Sequence, residues 1–201
     1  MNIDIRKAEK RVQDLLMEEA LKRIVKNKKS VKRQLENSLR GWAAESPQLQ
    51  SIQDDTFGSL KGTFGLTTEL ANAAASAIAS TISQCLGVEI KARKQQIVVS
   101  YVFVTDHFRE LLDLSVASFT TKVGTRIEWL DWLIQSGDSI IVSGYQYTPS
   151  TSGRSGLGTM TGGKGWRVLP ELSGTTFDNF IHHLFDGREK ELGAILARLL
   201  E

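Results

Sequence analysis

Gly158-Thr-Met-Thr-Gly-Gly163-Lys164 has the spacing of a phosphate-cradling loop, G-x-x-x-x-G-K. In such a loop, backbone amides and the lysine hold the phosphates, and a following Ser or Thr holds magnesium. Gly165 stands at that next position, and Trp166-Arg-Val168 reads as a strand where a phosphate site needs a helix N-terminus. The histidines are His107, His182 and His183. Zinc wants His at i and i+4, or a Cys/His set with metal spacing, and neither occurs. Adjacent histidines point to different helix faces, which predicts one half-buried ring and one exposed ring. Gly153-Arg-Ser155-Gly156 is one residue short of a nucleophile elbow. Asp54, Asp55 and Glu171 lack a partner at a recognisable spacing. Cys85 is the single cysteine, so no intrachain disulfide forms, and a buried inert thiol in a reducing compartment is expected. Trp129 and Trp132 are placed to stack on bases, but only Arg126 accompanies them, so they read as packing residues. The expectation is a chain with no catalytic activity, cofactor or metal.

The unusual stretch is Tyr145 to Phe180, rich in Gly, Ser and Thr. Eight of the 17 glycines fall between Gly144 and Gly174. Small-residue loops of this length are uncommon in compact domains, and ordering them costs more backbone entropy than an average segment. The reading is a Gly-rich β-arm over 144–174 that orders by adding strands to a partner's sheet edge. Leu157, Met160, Trp166, Arg167 and Val168 are its candidate partner-binding residues. The alternative is a hairpin folded back on its own domain.

The elements around the arm follow from periodicity. Val12, Leu15, Leu16, Ile24, Val31, Leu35, Leu39 and Trp42 recur at three- and four-residue steps, which predicts one amphipathic helix over 4–43 with a single apolar stripe. Pro47 forbids its continuation. A stripe that long exceeds what one small domain covers, so part of it is expected to pack on another subunit. Residues 46–66 read as irregular. A second helix is predicted over 67–86, capped by Thr67, with Ala73, Ala74, Ala77, Ile78 and Ile82 on its packed face and Gly87 at its end. Val88–Ala92 and Ile97–Val104 read as a hairpin turning near Lys94–Gln96. Thr105–Asp106 is read as the cap of a short helix running to Leu114. Residues 115–124 stay ambiguous between strand and helix. Further expectations are a helix over 126–135 stopped by Gly137, a strand over 139–147, a return strand over 166–169, and helices over 175–185 and 189–200. Together these make an α+β chain read as a single domain, 1–201, with a long basic helix over 1–45, a small antiparallel sheet and C-terminal helices.

The net charge is only +2, but it is unevenly placed. Residues 1–40 hold 12 of the 25 Lys and Arg and 6 of the 23 Asp and Glu, a surplus of six positive charges that leaves −4 on the remainder. A charged helical face is most often simply solvated. The other readings are contact with phosphate or docking on the acidic body of another copy. The stretch free of acids contains Lys22, Arg23, Lys26, Lys28, Lys29, Lys32 and Arg33, the DNA-facing candidates. Glu9, Asp14, Glu18 and Glu19 weaken the earlier turns as a phosphate-tracking surface. No apolar run reaches the ~18 residues that span a bilayer, and the charged N-terminus lacks the apolar core of a secretory signal.

The order of elements, with the segment Gly58-Ser-Leu60-Lys-Gly62-Thr-Phe64-Gly65-Leu66 and the C-terminal run from Arg154-Ser-Gly156-Leu-Gly158 through Trp166-Arg-Val168 to Gly174-Thr-Thr-Phe-Asp178-Asn179-Phe180, resembles small virion proteins of tailed bacteriophages. The family in question is the neck, head–tail joining or tail-completion group. Its usual Pro-Thr-Gly lead-in is replaced here by Ser46-Pro47 and a longer insertion. The resemblance implies a non-enzymatic α+β subunit in a homo-oligomeric ring of six or twelve copies. That ring would join the portal-side ring to the tail, contact neighbouring connector, portal or tail proteins, and touch packaged DNA non-specifically. The implied location is the virion neck, after assembly in the host cytoplasm. The competing reading is a nucleic-acid-binding accessory protein acting through the basic helix.

Overall fold

The computed structural model of the chain describes residues 5–93, 96–103, 108–122 and 124–201. His107, the expected cap Thr105–Asp106 and most of the expected turn at Lys94–Gln96 lie outside them. The architecture is α+β. In chain order the helices are α1 (Ile5–Ala44), α2 (Pro47–Gln53), α3 (Leu60–Phe64) and α4 (Thr68–Gln84), followed by strands β1 (Leu86–Arg93) and β2 (Gln96–Phe103). After α5 (Arg109–Leu112) come β3 (Phe119–Thr120), β4 (Arg126–Ile127) and α6 (Trp129–Gln135). Then follow β5 (Val142–Pro149), β6 (Gly158–Trp166), a 3-10 turn (His182–Phe185) and α7 (Glu189–Ala197). The small antiparallel pairing expected from the sequence is present, and among the described residues it takes the form of three separate two-stranded ribbons, β1–β2, β3–β4 and β5–β6.

The sequence reading takes 1–201 as one domain, whereas the contacts cluster into two compact units. One comprises residues 1–38, 85–104 and 186–201, and the other 39–84 and 105–185. In the first unit, the Asn27 amide donates to the carbonyls of Arg198 and Leu199 at 3.4 and 3.5 Å, and the Arg198 guanidinium donates to Gln34 at 3.0 Å. These bonds tie the segment after α7 to α1.

α1 persists because neither Gly nor Pro interrupts it before Gly41, and Glu18–Lys22 and Glu19–Arg23 sit in the favourable i, i+4 orientation. Ser46 both ends α1 and starts α2. Its hydroxyl donates to the Ala43 carbonyl at 2.7 Å and accepts the Leu49 amide at 3.3 Å, with Pro47 in the first helical turn. The segment expected to be irregular is therefore two capped helices. In α3, the Ser59 hydroxyl accepts the Gly62 amide, and Gly65 closes the C-terminus at φ +68°. Thr67 caps α4 as expected, accepting the Leu70 amide at 3.3 Å. The buried face of α4 is Ala71, Ala74, Ala75, Ile78, Ala79 and Ile82, whereas Ala73 is exposed and Ala77 half-buried. Gly87 does not end that helix; it lies in β1 opposite Val102.

The core of the second unit is aromatic. Phe64 meets Trp129 and Trp166 at ring separations of 5.6 and 5.7 Å, and Trp166 meets Trp132 at 5.8 Å. Trp129 is fully buried, and its indole N–H donates to the Val116 carbonyl at 2.8 Å. The segment after Trp166 is held by Asn179. Its side chain is buried; the amide donates to the carbonyls of Ile134 and Thr175 and the oxygen accepts the Ile181 amide. Gly174 passes so close that an added Cβ would lie 2.4 Å from Asn179 Cβ, which makes glycine obligatory there. The expected helix over 175–185 is a hydrogen-bonded turn at 175–178 followed by the 3-10 turn.

Candidate assembly surfaces

The Gly-rich arm is a hairpin folded on its own unit. β5 and β6 pair from Val142↔Trp166 to Pro149↔Gly158, with a register shift at Gly144. The glycine run that resembled a phosphate loop is itself the return strand, and Lys164 is exposed at its end. The return strand thus ends where the sequence expectation, 166–169, had it begin. Glycine is a poor strand former because it offers nothing to pack. Here the bulk comes from the facing strand. An added Cβ at Gly158 would lie 2.1 Å from Tyr147 Cε2, and one at Gly163 would lie 2.6 Å from Gln146. The glycines leave room for β5 side chains to lie across β6. The Tyr147 hydroxyl then donates to the Leu157 carbonyl at 2.6 Å and accepts the Gly58 amide at 3.0 Å, pinning the hairpin to the start of α3.

This geometry corrects part of the partner-binding set. Trp166 and Val168 are 5% and 1% exposed and belong to the unit's own core. Leu157 is half-buried beside Gly62, while Met160 and Arg167 are exposed. Arg167 leans on Asp138, donating to its carbonyl and pairing weakly with its carboxylate.

Between α3 and the hairpin lies an aromatic cleft of about 320 Å³. Phe64, Phe119, Trp132, Met160 and Trp166 line it, with glycines at its edges. Arg154, from the hairpin tip, lies over the Phe119 ring at 3.8 Å, within cation–π range. It has no carboxylate partner among the described residues. The turn at 175–178 presents the opposite shape. Phe177 is 86% exposed at its tip, while the amides of Thr175 and Asp178 exchange bonds with each other's carbonyls beneath it.

α1 carries two distinct faces. Ile24, Val31, Leu35 and Leu39 are buried, but Val12, Leu15 and Leu16 are 55%, 54% and 65% exposed. At about 100° per residue, the twelve positions from Val12 to Ile24 rotate the side chain by about 120°. The single stripe expected from the sequence is therefore two patches on different faces. The DNA-facing candidates also divide. Lys22, Arg23 and Lys32 pair with Glu18, Glu19 and Glu36. The Lys22 bond lowers the Glu18 pKa and raises that of Lys22. Lys28 adds to the lowering of the Glu89 pKa, which is caused chiefly by Lys91. Lys22, Lys26, Lys29 and Arg33 share about 60° of the helix circumference, across from Ile24 and Val31. Lys26, Lys29 and Arg33 are exposed.

The remaining polar candidates have structural partners. Asp54 accepts the Thr56 amide and hydroxyl. Asp55 pairs with Lys61, whose side chain is almost wholly buried and also donates to the Thr68 hydroxyl at 2.8 Å. Sequence reasoning missed this buried lysine, for which Asp55 six residues earlier was the available signal. His182 and His183 are both exposed rather than split between core and solvent. His183 Nε2 lies 2.6 Å from the Asp178 carboxylate. Cys85 is half-buried just beyond α4 rather than buried within it. Asp131 on α6 is half-buried, and burial, then Glu128, raises its pKa, while Gln135 donates to it at 2.7 Å. Among the described residues, no group of three metal-ligating side chains converges, and no helix is long and apolar enough to cross a membrane. No family model, curated protein or solved structure matches the chain significantly.

Proposed function

We propose that the chain is a non-catalytic structural subunit of a tailed-bacteriophage virion. In this reading it forms a ring at the neck, as a head–tail connector or tail-completion protein joining the portal-side ring to the tail. The observation that supports it most directly is the patch Val12, Leu15 and Leu16 on α1, three apolar side chains each more than half exposed. Their i, i+3, i+4 spacing is that of an amphipathic helix docking in a groove. Covering the exposed part of each is worth roughly 1 kcal/mol before the cost of association. A head-to-tail contact between copies closes into a ring when its rotation allows, and six or twelve copies is what the resemblance implies.

Native mass spectrometry and sedimentation test this reading. Wild-type protein is expected to self-associate as concentration rises, and Leu15→Glu with Leu16→Glu is expected to remain monomeric with an unchanged circular dichroism spectrum. A wild-type protein that stays monomeric at every concentration defeats the proposal.

The stripe Lys22, Lys26, Lys29 and Arg33 favours a second role, sequence-independent contact with nucleic acid. Reversing Lys26, Lys29 and Arg33 to Glu should weaken binding to duplex DNA and flatten its log–log salt dependence by about 2.7 units, at ~0.9 per phosphate contact. An unchanged slope removes this role.

A further inference from the structure

We propose that Phe177 of one copy is the occupant of the aromatic cleft of the next. The inference rests on the ring reading above and names the contact that would propagate it. Both halves lie within the second unit.

The knob is prepared for binding. Leaving a phenylalanine 86% exposed in water is unfavourable unless something covers it, and large exposed aromatics are enriched as interface anchors. Its backbone is already immobilised. Thr175 N–H donates to the Asp178 carbonyl at 2.7 Å, the Asp178 amide donates back at 3.2 Å, and Asn179 holds Thr175 from below. Little conformational entropy remains to be lost when the ring docks.

The socket matches it. At about 320 Å³ the cleft lies at the small end of ligand pockets, which run from roughly 300 to 1,000 Å³. Its walls are Phe64, Phe119, Trp132 and Trp166, which favour edge-to-face packing with an aromatic guest. Charge agrees as well. Asp178 directly follows the knob, its side chain 73% exposed while it bonds to His183, and Arg154 sits over Phe119 in the socket lining. Phe177 and the cleft are different patches of one surface, so the contact is head-to-tail and repeats from copy to copy.

The test uses two full-length variants. Phe177→Ala removes the knob and keeps the socket. Thr159→Trp fills the socket, since Thr159 lines the cleft, and keeps the knob. Each alone is expected to be monomeric by native mass spectrometry, with at least a tenfold loss of self-affinity. Mixed in equal amounts, they should form a 1:1 heterodimer and stop there. If Thr159→Trp is misfolded by circular dichroism, Arg154→Glu takes its place as the socket variant, with the same mixing result expected. Wild-type-like assembly of Phe177→Ala overturns the inference. So does loss of assembly in Phe177→Ala together with normal assembly of the socket variant, because Phe177 would then dock elsewhere. If Leu15→Glu with Leu16→Glu abolishes assembly while Phe177→Ala does not, this inference fails and the ring reading stands. A wild-type protein that never self-associates removes both.

Discussion

Gly158→Ala should be destabilising even though its backbone suits any residue, because the space for a methyl group is taken by the Tyr147 ring. The new Cβ would sit 2.1 Å from Cε2 and 2.8 Å from the phenol oxygen, so the ring must leave. Leaving breaks the bonds to the Leu157 carbonyl and from the Gly58 amide. At ~1 kcal/mol net for each bond, and ~1 kcal/mol for the ring area returned to water, the loss is about 3 kcal/mol. Alanine restricts the unfolded chain and returns ~0.5–1 kcal/mol. The net cost is about 2 kcal/mol, or a Tm lower by about 4–8 °C. Urea denaturation followed by tryptophan fluorescence measures it, since Trp129, Trp132 and Trp166 share this core. The decisive measurement is a double-mutant cycle. In a Tyr147→Ala background no ring remains to be displaced, so adding Gly158→Ala should be neutral or slightly stabilising. If Gly158→Ala costs the same in both backgrounds, the glycine serves some other purpose and the reasoning fails. Exchange of the Gly58 amide should quicken in both single variants.

Asn179→Leu should cost about 2–4 kcal/mol by urea denaturation, because it leaves the buried carbonyl of Ile134 and the Ile181 amide without the Asn179 side chain; a loss under 0.5 kcal/mol would make the asparagine dispensable. Asp131→Asn keeps the acceptor oxygen for Gln135 and removes a carboxylate whose folded pKa is raised by burial. A raised pKa means that protonation favours the folded form, so the stability it contributes is complete below the ordinary value of 3.8 and is lost as pH rises through the raised one. The variant should therefore be more stable than wild type at pH 7, by a few tenths of a kcal/mol after solvent screening. The advantage should vanish near pH 3, and an advantage that grows on acidification contradicts the assignment.

What was legible in the sequence was local. α1 shows itself by uninterrupted helical periodicity, and Thr67 announces the start of α4 by its own side chain. The caps Ser46 and Ser59 and the stop Gly65 were equally visible, yet the glycines between them made two short helices read as a loop. The candidate surfaces were less legible because they depend on contacts distant in sequence. Gly158 to Trp166 becomes a strand only because Tyr145 to Tyr147 lie across it, and Trp166 is buried only because Phe64 and Trp132 are there to meet it. The apolar residues of α1 were recognised correctly. Their separation into two faces required carrying the helical angle over twelve residues, where three- and four-residue steps each look continuous.

The interleaving of the two units has a consequence for the order of folding. The second unit draws on 39–84 and 105–185, so its residues fall between two parts of the first unit along the chain. The first unit needs 186–201, whose segment after α7 accepts the Asn27 bonds from α1. The second unit can therefore close without 186–201, whereas the first must bring Asn27 and Arg198 together across the intervening chain, a loop closure that costs chain entropy. Of the two units, the first waits on the more distant closure, and α1 stays without the bonds to 198–199 until that closure is made.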